Sequence, residues 1–125
     1  PPAPGGVGAS RRRSKPEGHV GDTLPKVQAL VAMGRSILSE HAYDRLAANG
    51  ITAQEVGAGA AGAIEVEDYP DFHKGPSFLA LQQDANGLPV HVVWGIRKGT
   101  TGPAVAITVY RPDPALWSAD FRSRL

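Results

Sequence analysis

Two histidines, two arginines, a threonine and a tyrosine carry the chemistry this sequence can offer. His41 and Arg45 stand four residues apart, and His91, Arg97, Thr108 and Tyr110 fall at alternate positions among small or apolar residues in the last third of the chain. Imidazole exchanges protons in both directions near neutral pH. A guanidinium holds a phosphate or carboxylate through two parallel hydrogen bonds, and a hydroxyl adds a further donor. Base, acid and anion clamp together suit proton-transfer chemistry at a charged centre, without a metal. Lys98, beside Arg97, is a reserve cation.

Strands must position the second group of residues. Along Val90 to Arg97, alternation puts Val90, Val92, Trp94 and Ile96 on one face and His91, Val93, Gly95 and Arg97 on the other. Alternation in the next strand groups Val105, Ile107 and Val109 against Ala104, Ala106, Thr108 and Tyr110. A sheet built from both would have one bulky face for packing helices and one sparse, polar face able to hold a ligand.

The first pair needs a helix. Ser39 is an N-cap for EHAYDRLAAN, which Asn49-Gly50 terminates, so His41 and Arg45 share a face. Upstream, Leu24, Val27, Leu30, Val31, Ile37 and Leu38 recur at helical spacing after Pro25, predicting a helix over 24–38 that Gly34 weakens. Thr52 and Glu55 have capping-box spacing and open a third, glycine-rich helix. Strands are expected over Ile64 to Tyr69 and Phe78 to Gln83, with turn chemistry at 84–87 leading into Val90 to Ile96. A last helix is expected from Pro114, capped by Asp113 and inserting Leu116, Trp117 and Phe121 into the core. The sum is an α+β domain: N-terminal helices on a roughly four-stranded antiparallel sheet, with a short C-terminal helix.

The 125 residues suffice for one domain, with 15 Gly and 11 Pro whose density is highest at the front. Residues 1–23 read as flexible linker and 24–125 as the folded unit, and the Pro1-Pro2 start suggests a piece of a longer polypeptide. The absence of Cys excludes disulfides, thiolate zinc sites and cysteine nucleophiles. No apolar run reaches the roughly 20 residues of a membrane-spanning helix. Residues 1–20 hold Arg11, Arg12, Arg13 and Lys15 against Glu17, which leaves the remainder two charges negative. That balance disfavours a duplex-binding surface, which needs a broad basic face.

From Ser39 onward, SEHAYDRLAANGITAQEV, IEVEDYP, GLPVHVVWGI and AITVYRPDPALWSADFRSR resemble an uncharacterised bacterial domain family. That family is grouped with RelE/BrnT-like toxins in the barnase–EndoU–colicin–RelE ribonuclease superfamily. The resemblance implies helices on one face of a curved antiparallel sheet and metal-independent RNA cleavage, without cofactor. His41 and His91 would then serve as base and acid, Arg45 and Arg97 would hold the phosphate, and Thr108 or Tyr110 would donate a hydrogen bond or proton. A tRNA or other single-stranded RNA fits the modest charge better than ribosomal RNA. The resemblance also suggests the C-terminal toxin module of a polymorphic toxin, held by a cognate immunity protein or antitoxin. Such a module acts after delivery into the cytoplasm of a target cell, or otherwise in the cytoplasm.

Each of these residues has a plainer alternative. His91 would be a half-buried strand histidine bonded to backbone, His41 a surface residue, and Arg45 a partner of Glu40 or Asp44. Tyr110 would be core with its hydroxyl at the rim, Thr108 a strand former, and Arg97 and Lys98 ordinary turn charges. Glu65, Glu67, Asp68 and Asp71 form an acidic cluster, with Glu65, Glu67 and Tyr69 sharing a face by alternation; it reads as a solvated edge. No His spacing matches a zinc motif. The glycine-rich 57–62 segment lacks the strand before it and the Lys-Ser/Thr ending of a phosphate loop. Two rival functions remain: a non-catalytic protein-binding module and a metal-dependent DNase toxin.

Overall fold

The computed structural model describes residues 21–125. The basic triplet Arg11 to Arg13 and nearly all of the expected linker lie outside the described residues.

The first helix, α1, spans Thr23–Ala32 and buries Thr23, Leu24, Val27 and Leu30 along one side. It stops six residues short of the expected end because Gly34 takes a left-handed conformation, φ 74°. The chain then enters a short strand, β1, Ser36–Leu38. Ile37 and Leu38 therefore extend a sheet rather than a helix. Next comes α2, Glu40–Asn49, capped by the Ser39 side chain and closed by Gly50 in the left-handed region. A short α3, Ala53–Gly59, begins with the complete Thr52/Glu55 capping box and runs into a 3-10 turn, Ala60–Gly62.

Four more strands follow: β2, Ile64–Tyr69; β3, Ser77–Gln83; β4, Pro89–Ile96; and β5, Ala104–Tyr110. The sheet has five strands in the order β1-β5-β4-β3-β2, not the four expected. β2 through β5 form an antiparallel meander, and β1 joins the far edge parallel to β5. The fold is α+β, as composition and pattern implied.

The helices cover one face. Val90, Val92, Trp94 and Ile96 of β4 point into that core with Leu24, Val27, Leu30, Leu46 and Val56 from the helices. Burying a side chain of this kind contributes about 2 kcal/mol. A polar thread runs through the core: Trp94 Nε1 donates to Gln82 Oε1 at 2.6 Å, and Gln82 Nε2 donates to the Val56 carbonyl at 2.9 Å.

Two bulges change the faces that simple alternation assigns. In β5 the register shifts where Val93 and Trp94 meet Thr108 and Ala106, leaving Ile107 as the extra residue. Ala104, Ala106 and Val109 consequently belong to the helix-covered core. Thr108 and Tyr110 pair with Val93 and His91 on the open face, and Val105 pairs there with Gly95. In β2 a second shift between Glu65 and Glu67 sends Glu65 and Asp68 to the covered side, where both are buried. Glu67 and Tyr69 remain on the open face, so Glu65, Glu67 and Tyr69 do not share one.

The C-terminal helix does not form. Asp113 does cap, accepting from the Ala115 amide at 2.8 Å, but the result is a single turn. The chain then folds back so that Trp117 and Arg124 make an isolated antiparallel bridge. Leu116 is exposed rather than in the core, while Trp117 is buried. Residues 113–125 form an irregular strap lying across part of the open sheet face.

Candidate functional site on the open sheet face

Register organises the open face into rows across the strands. Ile64, Leu81, His91 and Tyr110 form one row; Glu67, Leu79, Val93 and Thr108 form the next. Neighbouring rows are two residues apart, about 7 Å. Thr108 and Tyr110 therefore stand side by side on β5, with His91 directly across from Tyr110.

His41 reaches this face from α2. The Ser39 hydroxyl accepts from the Ala42 amide at 3.0 Å, fixing the start of the helix, and donates to the Ile107 carbonyl at 2.7 Å, fixing that start against the bulge. The Ser39 amide also donates to the Ala106 carbonyl at 2.9 Å. Two residues further on, His41 Nε2 lies 3.1 Å from Thr108 Oγ1. His41 and Thr108, 67 positions apart in sequence, meet because one serine ties α2 to β5. Both stay accessible, His41 exposed and Thr108 half-buried.

His91 is placed differently. It is fully buried, 0% exposed, with Nδ1 3.1 Å from the Tyr110 hydroxyl and Nε2 2.9 Å from the Phe121 carbonyl oxygen. Trp117 stands edge-on to its ring, centroids 4.6 Å apart. Phe121, whose carbonyl caps the imidazole, adopts φ 60°, a left-handed conformation costing a residue with a Cβ about 1–2 kcal/mol. The strap is anchored beyond that point. Arg124 Nε pairs with Glu67 Oε2 at 2.7 Å, and its guanidinium lies 4.7 Å from the centre of the Trp117 ring. Tyr69 donates its hydroxyl to Glu67 as well.

Burial sets the proton chemistry of this group. Desolvation pushes the His91 imidazole below its ordinary value, against the Phe121 carbonyl and the Glu67 charge, which pull it upward. Desolvation also raises the Tyr110 phenol, so it keeps its proton at neutral pH. The Tyr69 phenol is raised by burial and by its bond to Glu67, and that carboxylate in turn raises Arg124.

The remaining expected residues divide. Arg45 is exposed one turn beyond His41 on α2. Arg97 and Lys98 lie past the opposite end of β4 from His91, about 20 Å along the strand, so the fold does not bring them to the row. Sequence reasoning missed Arg111, which is a structural clamp. It donates to the carbonyls of Asn49, Gly50 and Pro89 and pairs with Asp84 at 2.8 Å. Sequence reasoning read Glu67 as part of a solvated acidic edge and Trp117 as the core side of a last helix, and it did not single out Arg124; the three together anchor the strap. Period-2 reading gave no signal for the strap, because its residues follow no repeat.

A groove of about 1080 Å³ lies beside the row, between α3, the β3–β4 turn and the strap. Its lining includes Glu55, Asp84 and Asp120, and contains no Lys, Arg or His. Backbone amides hold Glu55 and Asp84 below the usual carboxylate range, those of Ala85 and Leu88 contributing most. An acidic groove does not suit a polyanion. Among the described residues no three His, Asp or Glu side chains converge as a metal set, and no helix is long and apolar enough to cross a membrane.

No curated protein and no solved structure matches the chain. The model of a family described as a domain of unknown function, DUF4258, matches residues 38–111, from the end of β1 to the residue after β5, and the chain belongs to that family.

Proposed function

We propose that this domain is a metal-independent ribonuclease acting on single-stranded RNA, with His41, Thr108 and Tyr110 as its working edge. The observation that carries this reading is two pairs of proton-transfer groups, His41 with Thr108 and Tyr110 with His91, on neighbouring rows of one sheet face. Both pairs fall inside the matched family segment, whereas the strap lies outside it. The resemblance to RelE/BrnT-like toxins favours the same chemistry and a toxin held by a cognate immunity protein.

The reaction moves two protons. The ribose 2′-oxygen loses its proton to a base and attacks the adjacent phosphorus, and the bond from phosphorus to the 5′-oxygen breaks. That oxygen takes a proton from an acid, leaving a 2′,3′-cyclic phosphate and a 5′-hydroxyl. His41 and Tyr110 are the accessible members and share the two transfers, Thr108 orients His41, and His91 acts behind Tyr110. Arg45, free to swing from α2, binds the phosphate. Residues 21–125 carry two net negative charges, so an unpaired strand threaded past few cations suits this surface better than a duplex.

A second reading has its own support. His91 is wholly enclosed with both ring nitrogens occupied, as a structural histidine would be, and the face would then serve protein binding. Incubation with total RNA in EDTA separates them. The ribonuclease reading expects discrete fragments on a denaturing gel, reduced about 100-fold or more in rate by His41→Ala and by Tyr110→Phe. Intact RNA with the unaltered protein would overturn the ribonuclease reading in favour of protein binding or of a metal-dependent DNase, which DNA cleavage with added divalent cation tells apart.

A further inference from the structure

The strap bears on which proton goes where. A carbonyl oxygen only accepts hydrogen bonds, so the 2.9 Å contact between Phe121 oxygen and His91 Nε2 requires that Nε2 carry the hydrogen. A neutral imidazole with hydrogen on Nε2 has a bare Nδ1, and the Tyr110 hydroxyl 3.1 Å away must then donate to it. Tyr110 is half-buried and stands on the same strand two residues from Thr108, and its oxygen still has lone pairs to accept with. Three further contacts hold this arrangement: Trp117 edge-on to the imidazole, Arg124 over Trp117, and Arg124 paired to Glu67 on β2. Phe121 sits in a left-handed backbone conformation while its carbonyl meets the ring.

We infer that the strap is a positioning element of the active site, in which the Phe121 carbonyl and Trp117 lock the His91 tautomer so that Tyr110 and His91 form the base arm of the reaction. This inference rests on the ribonuclease reading and deepens it. As the 2′-hydroxyl gives its proton to the Tyr110 oxygen, Tyr110 passes its own to His91 Nδ1, and the electron pair left on the 2′-oxygen forms the new bond to phosphorus. His91 becomes an imidazolium, with the Glu67 carboxylate on the next row as the nearby negative charge. His41, protonated, supplies the 5′-oxygen. Tyr110 and His41 touch substrate, while Trp117 and Phe121 act only through His91. The strap follows the matched segment, residues 38–111, and packs back onto it.

Ring-nitrogen NMR on the full chain, read beside RNA cleavage, tests this. His91 is expected as a single tautomer, hydrogen on Nε2 and Nδ1 bare. Trp117→Ala and Arg124→Gln, both outside the helix-side core, are expected to mix the tautomers and slow cleavage about tenfold or more. Trp117→Phe should restore both, which a general loss of fold would not. Hydrogen on Nδ1 in the unaltered protein would overturn the inference, as would equal or faster cleavage by the loosened variants, which would make the strap a cover. Tautomer mixing as expected, with RNA intact throughout, would sink the ribonuclease reading alone and leave the strap's hold on His91 standing.

Discussion

His91 shows how one residue type serves either chemistry or packing according to what lies on top of it. The alternation Val90 to Arg97 was legible in the sequence, and it put His91 on the open face correctly. That the face is covered there was not legible, because the cover comes from a segment with no periodicity. Covering has a thermodynamic signature. Burial lowers the His91 value relative to the unfolded chain, so the unfolded state binds the extra proton first, and stability falls with acidification. The stabilisation is whole above about pH 6.5, the ordinary imidazole value, and is lost as pH drops through the lower folded value. Glu55, Asp84 and Asp120 are depressed carboxylates whose contribution fades only below about pH 4, leaving a window in which the histidine dominates. Urea titrations between pH 8 and pH 5 are expected to show the wild type losing stability relative to His91→Gln.

At the scale of elements, local chemistry in the sequence mapped onto structure wherever a cap or turn announced itself. Ser39 with EHAYDRLAAN, the Thr52/Glu55 box and the 84–87 turn all lie where residue type places them. Three features escaped. Ile37 and Leu38 continued the helical repeat of α1 and yet pair with β5, since Gly34 turns the chain between them. The bulges in β2 and β5 escaped because an extra residue reverses alternation without leaving a mark on composition. The strap escaped because a capped turn after Pro114 looks like the start of a helix until the chain doubles back. Ser39 is where element and site meet. Ser39→Ala removes both the cap of α2 and the bond to the Ile107 carbonyl, and is expected to cost about 1–2 kcal/mol in urea denaturation. It should also slow RNA cleavage more than Ala47→Gly, which weakens α2 by about 1 kcal/mol without touching β5.

For the molecule as a whole, charge and topology bear on the proposed encounter with RNA. With residues 21–125 net negative, Arg11, Arg12 and Arg13 hold much of the available attraction. Replacing all three with Ala is expected to lower the log–log salt slope of RNA association by about 2, since each single-strand phosphate contact contributes about 0.7. Fluorescence anisotropy at several salt concentrations reads this directly, and an unchanged slope would place the contacts on the folded unit. The parallel pairing of β1 with β5 carries a separate consequence. The first strand made can find its sheet neighbour only after the last has been made, and Ser39 and His41 wait for the same partner. On the ribosome the chain emerges amino end first, so the assembled pairs are absent until residues beyond Tyr110 clear the exit tunnel. A chain truncated before β5 leaves β1, Ser39 and His41 without the strand they pair with, so a domain lacking that strand is expected to have no assembled site.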